Sequence, residues 1–206
     1  MKKAIVTGAA GFSGAVLTEE LRKKGVEVCA LVRPGSDHND RLSKNDAGLK
    51  IVELNPEEYD KLPGIIGEGW DTLFHLMWSG EKQLDKQMKN INYCLSALES
   101  AKRCGCTRFV GTGSQAEYGI VPHDKVTIEE LPLNPFTAYG AAKAAAFYLS
   151  RKKAEELNID WIWGRIFSLI GKYEPKGRML PDLYFALSSD KEMALSSCTQ
   201  PSVSGP

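Results

Sequence analysis

The sequence predicts an α/β fold, an open doubly wound parallel sheet, on three observations. Short β-branched runs alternate with helix-patterned stretches through residues 1–170. The first such run passes directly into a glycine-rich turn and then a helix. The chain has 206 residues, 43% of them hydrophobic and 25% charged, which suits one core of ordinary size and excludes a disordered chain.

Six strands are expected, over residues 3–7, 26–32, 49–54, 72–76, 108–111 and 159–166. Between them three segments carry helical spacing: 15–24, with Leu17 and Leu21 one turn apart and Gly25 as a stop, then 82–103 and 141–157. Each reads as a crossover helix, and right-handed crossovers distribute such helices over both faces of a twisted sheet. Beyond Gly171 the pattern loosens, so residues 1–170 are expected to form a nucleotide-binding domain and residues 171–206 the start of an incomplete substrate-binding region. The tail from Pro201 reads as altered, and no internal repeat of solenoid length is found.

Charge and cysteine usage exclude several function classes. Lysine plus arginine total 26 and aspartate plus glutamate 26, so no basic field attracts nucleic acid or anionic lipid. No apolar run approaches the length of a spanning helix, and the first residues lack a secretory core. Cys29, Cys94, Cys104, Cys106 and Cys198 are an odd set in irregular spacing, read as reduced thiols of a cytoplasmic protein, with Cys104-Gly-Cys106 a chance pair. His38, His75 and His123 do not stand at metal-ligand spacing, so a metal hydrolase is set aside.

Chemistry concentrates in two places. Thr7-Gly8-Ala9-Ala10-Gly11-Phe12-Ser13-Gly14 sets three glycines at a spacing of three in a strand-to-helix turn. Glycine permits the tight bend and close backbone approach, and the unpaired N–H groups of a helix start face an anion, so the turn is expected to cradle a diphosphate. Alone it is equally a tight connection; at the first βα turn of an alternating chain it points to a dinucleotide. The second strand ends Leu31-Val32-Arg33-Pro34-Gly35-Ser36, without the carboxylate that would accept from a ribose 2′-hydroxyl. Arg33 and Ser36 suit a 2′-phosphate instead, so NADP is expected ahead of NAD, unless Arg33 is only a solvated loop charge or Asp37 intervenes.

The second place is Tyr139-Gly140-Ala141-Ala142-Lys143, whose tyrosine and lysine share one helix face. A phenol exchanges protons poorly near neutrality, and an ammonium beside it stabilises the phenolate. Ser114, after the fifth strand, would hold a reacting oxygen against that phenol. Singly, Tyr139 reads as a packed aromatic and Lys143 as a surface charge; together with Ser114 they read as a catalytic set.

With these residues in order, the chain resembles the extended short-chain dehydrogenase/reductase family of nucleotide-sugar epimerases, dehydratases and 4-ketoreductases. The resemblance covers residues 3–173 and rests on Thr7-Gly8-x-x-Gly11-x-x-Gly14, Asn90-Ile91-Asn92, Ser114 with Tyr118-Gly119, Tyr139-x-x-x-Lys143 and Gly164-Arg165-Ile166-Phe167. It implies a Rossmann fold and an NAD(P)-dependent epimerase or reductase acting on a nucleotide-linked sugar. Tyr139 would be its acid/base, Lys143 would hold the nicotinamide ribose, and Ser114 would orient the oxygen. It further implies that Asn55 lies at the adenine, Leu76 along the cofactor and Asn90 at the cofactor, with His75 structural. The dehydratase acid pair is replaced by Gln115 and Ala116, which disfavours a 4,6-dehydratase, with Glu117 available only by a register shift. The family also implies a homodimer through a helix pair, with Ala144, Phe147, Tyr148 and Leu149 as its stripe or as core. The rival expectation is a cofactor-binding module without turnover, a redox sensor or inactive fragment on the same fold.

Overall fold

A computed structural model describes residues 1–121 and 129–193. Six parallel strands form one sheet: β1 (Lys3–Thr7), β2 (Glu27–Val32), β3 (Leu49–Glu53), β4 (Thr72–His75), β5 (Arg108–Ser114) and β6 (Asp160–Ile166). Their spatial order is β3-β2-β1-β4-β5-β6. The order reverses between β1 and β4, and a crevice opens there beyond the carboxyl ends of the strands, where such sheets bind ligands. In register, Thr7 lies opposite His75 across that switch point.

Helices α1 (Phe12–Lys23), α2 (Leu62–Ile66), α3 (Leu84–Arg103), α4 (Ala138–Leu157) and α5 (Met179–Ser188) are the helices among the described residues, with short 3-10 turns at Asp37–Arg41, Pro56–Lys61 and Gln115–Glu117. The central strands are buried on both faces, so they read as continuous apolar runs, as in Ala4-Ile5-Val6. One core cluster joins Ile5, Leu31, Leu73, Leu98 and Phe109 to α3 and α4; the other joins Val6, Val28 and Ala30 to Leu21 of α1.

Three boundaries depart from the sequence reading by three residues, each for a local reason. Helix α1 begins at Phe12 rather than residue 15, because Gly11 serves as its N-cap in extended conformation. Strand β5 runs on to Ser114, since β6 pairs with it residue by residue as far as Ile166. Helix α4 begins at Ala138, where the Thr137 hydroxyl accepts from the Gly140 N–H at 3.0 Å and puts Tyr139 in the first turn. Helix α5 has no buried residue, and Met179, Tyr184 and Leu187 are exposed. No helix among the described residues is long and apolar enough to cross a membrane.

Candidate active site

The glycine turn is built on contact. A Cβ on Gly14 would overlap the Gly8 carbonyl oxygen, and Gly8 itself has φ +66° with the Met77 backbone against it. The turn is thereby pressed on the segment following β4. Thr7 ties the same two segments: its Oγ1 accepts from the N–H of Leu76 at 3.2 Å and of Met77 at 3.3 Å, and lies 3.0 Å from His75 Nδ1. His75 is a core residue, stacked on Phe109, and burial pushes its imidazole down to about 3.

A cleft of about 530 Å³ runs across the switch point, lined by Gly8 and Gly11 at the turn and by Arg33, Ser36, Asn39 and Asn55 at one end. Leu76 and Trp78 line it as well. The buried Asn39 Oδ1 has no partner in the fold. A glycine cradle without room for side chains, an exposed arginine and an orphaned amide oxygen fit an adenosine diphosphate with a ribose substituent. Of the residues expected at a cofactor, Gly8, Gly11, Arg33, Ser36, Asn55 and Leu76 line this cleft. Thr7 and Gly14 shape the turn from behind, and Phe12 and Ser13 open α1.

Asn90 is fully buried and grips the backbone of Ser79, accepting from its N–H at 2.9 Å and donating to its carbonyl at 3.1 Å. It therefore fixes the loop that borders the cleft.

The segments that carry Ser114, Tyr139 and Lys143 come together at the carboxyl rim of β5. A Cβ on Gly140 would overlap the Ala116 carbonyl, so the first turn of α4 sits directly on the turn that Ser114 opens. Lys143 is 3% exposed and donates to the Thr112 carbonyl at 2.7 Å, anchoring α4 two residues before Ser114. Burial pushes its ammonium down to about 8, with Cys94 and Glu117 acting weakly in the other direction. The ammonium also lies 3.7 Å from the centroid of the Trp78 indole, whose plane stands at 90° to the Tyr139 ring, centroids 6.3 Å apart. Lys143 thus engages Thr112 and Trp78 rather than hydrogen-bonding the Tyr139 hydroxyl.

Glu117 supports this rim from below. It is wholly buried, binds Arg165 Nε at 2.7 Å and Trp163 Nε1 at 3.1 Å, and accepts from the Ser114 N–H at 2.8 Å. The Ser114 hydroxyl accepts from the Ala116 N–H, completing a capping box. Glu117 is thereby engaged on both carboxylate oxygens by structural partners, which rules out its serving as a shifted dehydration acid.

Sequence reasoning missed Trp78 and Gln87, and for Glu117 it missed the structural role. A tryptophan shortly after the fourth strand and a polar residue at a buried position of α3 are the available signals. Cys29, Cys94, Cys104 and Cys106 are buried, their thiols pushed up by desolvation to between about 11 and about 12, so they are not nucleophiles. Cys198, His123 and the tail from Pro201 lie outside the described residues. Among the described residues no three His, Cys, Asp or Glu side chains gather as a metal site. Of the suggested helix stripe, Ala144 is buried and Phe147 packs on Trp161, while Tyr148 and Leu149 are exposed.

Known proteins resemble this chain in sequence and in fold. The UDP-glucose 4-epimerase of Mycolicibacterium smegmatis is 28% identical over 152 residues, covering 69% of this chain and 48% of that protein. The UDP-N-acetylglucosamine 4-epimerase of Methanobrevibacter ruminantium M1 superimposes with a TM-score of 0.80 at 21% identity, over 92% of this chain and 64% of that one. The UDP-glucuronic acid 4-epimerase of Bacillus cereus, solved in complex with NAD, gives 0.77 at 20% identity over 92% and 64%. The chain spans about half the length of the relatives it matches in sequence. Residues 4–201 match the NAD dependent epimerase/dehydratase family, and the chain belongs to that family.

Proposed function

We propose that the protein acts on a nucleotide-linked sugar as an NAD(P)-dependent epimerase or 4-ketoreductase, at a secondary alcohol or ketone. The observation that carries this reading is the Lys143–Thr112 anchor, which fastens the Tyr139 turn of α4 to the strand ending in Ser114. When bound, the nicotinamide accepts or returns a hydride. The chain's own residues do the rest. Ser114 hydrogen-bonds the reacting oxygen, Tyr139 takes or gives its proton, and Lys143 supplies positive charge to that rim. Glu117 keeps the Ser114 turn rigid, and Gly8 with Gly11 receive the diphosphate.

Arg33, at the mouth of the cleft and exposed, supports a preference for a 2′-phosphorylated cofactor. Residues 171–206 would begin the substrate-binding region, a reading supported by the exposed apolar side chains of α5. Tyr148 and Leu149, exposed on α4, support a homodimer through helices. The relatives named above favour UDP-linked sugars as the first compounds to assay.

Replacing Tyr139 by Phe tests the reading. Turnover of UDP-sugars should fall by about 10²-fold or more, the usual worth of a general acid/base, while cofactor affinity stays unchanged. Unchanged turnover would refute it. A cofactor-binding module without turnover would show neither an activity to lose nor any effect of the substitution.

A further inference from the structure

We propose that Trp78 sets the ligand class of the cleft: as folded, it receives the adenosine diphosphate half of a dinucleotide, and the indole keeps the nicotinamide half from Tyr139. This inference rests on the functional reading above.

The argument begins with the chemistry of a secondary alcohol. Its hydride leaves from carbon and its proton from the attached oxygen, so the redox ring and the phenol must meet at one substrate atom pair. A dinucleotide seated on Gly8 and Gly11 must therefore extend along the cleft as far as Tyr139. The cleft does not include it. Its lining takes in Trp78 and the Ser79–Glu81 loop but none of Ser114, Tyr139 and Lys143. Trp78 belongs to both places: it lines the cleft, and its ring covers the Lys143 ammonium at 3.7 Å and meets Tyr139 edge-on.

The indole is also held there. Its Nε1 donates to Gln87 Oε1 at 2.9 Å, and Gln87, itself buried on α3, is fixed by donating to the Ser79 carbonyl at 3.2 Å and to the Glu81 carbonyl. The backbone on either side is clamped: Thr7 binds the N–H groups of Leu76 and Met77, and Asn90 binds both polar groups of Ser79. Access to Tyr139 therefore requires rotation of the Trp78 side chain and not a shift of the loop. Leaving the ammonium breaks a desolvated cation–π contact and one hydrogen bond, together about tenfold or more in affinity.

Calorimetric titration of the full chain with two matched pairs tests this: ADP-ribose against NAD, and 2′-phospho-ADP-ribose against NADP. In the unmodified protein each dinucleotide should bind no tighter than its partner lacking nicotinamide. Trp78→Ala should tighten the dinucleotides about tenfold and leave the ADP-ribose forms within about threefold. Trp78→Phe, which keeps a ring over Lys143 but lacks the donor to Gln87, should fall between. A dinucleotide bound about tenfold tighter than its fragment by the unmodified protein would overturn the role of Trp78 and leave the cleft assignment standing, as would an unchanged ratio in Trp78→Ala. Failure of every one of these ligands to bind would remove the cleft assignment, and this inference with it. The comparison within the unmodified protein holds even if a variant fails to fold.

Discussion

The Lys143 ammonium is bracketed by the Thr112 carbonyl at 2.7 Å and the Trp78 ring at 3.7 Å, so a buried cation is held by a dipole and a π face, with no carboxylate among the described residues in contact. That pairing joins the proposed catalytic rim to the proposed cofactor cleft. It also leaves the ammonium poorly solvated, which makes its proton easier to lose.

A pH effect on stability follows. Burial holds the folded Lys143 at about 8, below its unfolded value of 10.5. Between those values the unfolded chain binds more protons, so folding stability should rise with pH across that window. The rise in urea midpoint from pH 7.5 to 9.5 should shrink in Lys143→Met. An identical pH slope in both proteins would mean that the buried ammonium is not desolvated.

His75 gives the same sign at lower pH. Its folded value of about 3 lies beneath the unfolded 6.5, so the native state resists protonation while the unfolded chain accepts it. Stability should fall as pH drops from 6.5 toward 3. His75→Leu should lose less stability than the parent between pH 7 and pH 4.5, read as the change in urea midpoint. The difference isolates His75 from the surface carboxylates, which titrate in both proteins.

Glu117 and Arg165 form a buried pair whose side chains are 0% and 10% exposed. Breaking one partner leaves the other charge uncompensated, so Glu117→Gln should cost about 3–5 kcal/mol in unfolding free energy. The double variant Glu117→Gln/Arg165→Met should be less destabilised than the sum of the single changes, because the stranded guanidinium is gone. Strict additivity would show that the pair is not coupled.

What was legible in the sequence was whatever repeats at short range. Strand runs such as Ala4-Ile5-Val6, the glycine spacing from Gly8 to Gly14 and the four-residue step from Tyr139 to Lys143 are local patterns, and each carries its geometry with it. The doubly wound sheet with helices on both faces followed because parallel neighbours need right-handed crossovers. The illegible parts are long-range. Trp78 and Lys143 are 65 positions apart, Glu117 and Arg165 are 48 apart, and nothing in either segment announces its partner. The lysine was therefore expected to act directly on the phenol, although in the fold a carbonyl and an indole engage its ammonium. Chain-end boundaries such as the start of α4 turned on a single capping hydroxyl, that of Thr137.

The proposed preference for NADP rests on Arg33. It lies at the mouth of the cleft beside Ser36 and Asn39, it is exposed, and no carboxylate among the described residues forms a salt bridge with it. The Ser36 hydroxyl accepts from the His38 N–H at 3.4 Å, so its own proton remains available to an anion. A 2′-phosphate would meet a free guanidinium and a hydroxyl donor, whereas a 2′-hydroxyl would find no carboxylate at this end of β2. Removing a hydrogen bond to a charged group costs about 1.5–3 kcal/mol, or about ten- to a hundredfold in affinity. Arg33→Ala should therefore weaken NADP and 2′-phospho-ADP-ribose by about that factor, and change NAD and ADP-ribose less than about threefold, measured by calorimetry at one ionic strength. Equal losses for both classes would assign Arg33 to the shared diphosphate or adenine and leave the 2′ position unread. A parent protein that binds NAD tighter than NADP would sink the preference outright, since the guanidinium would then contribute nothing specific to the phosphate.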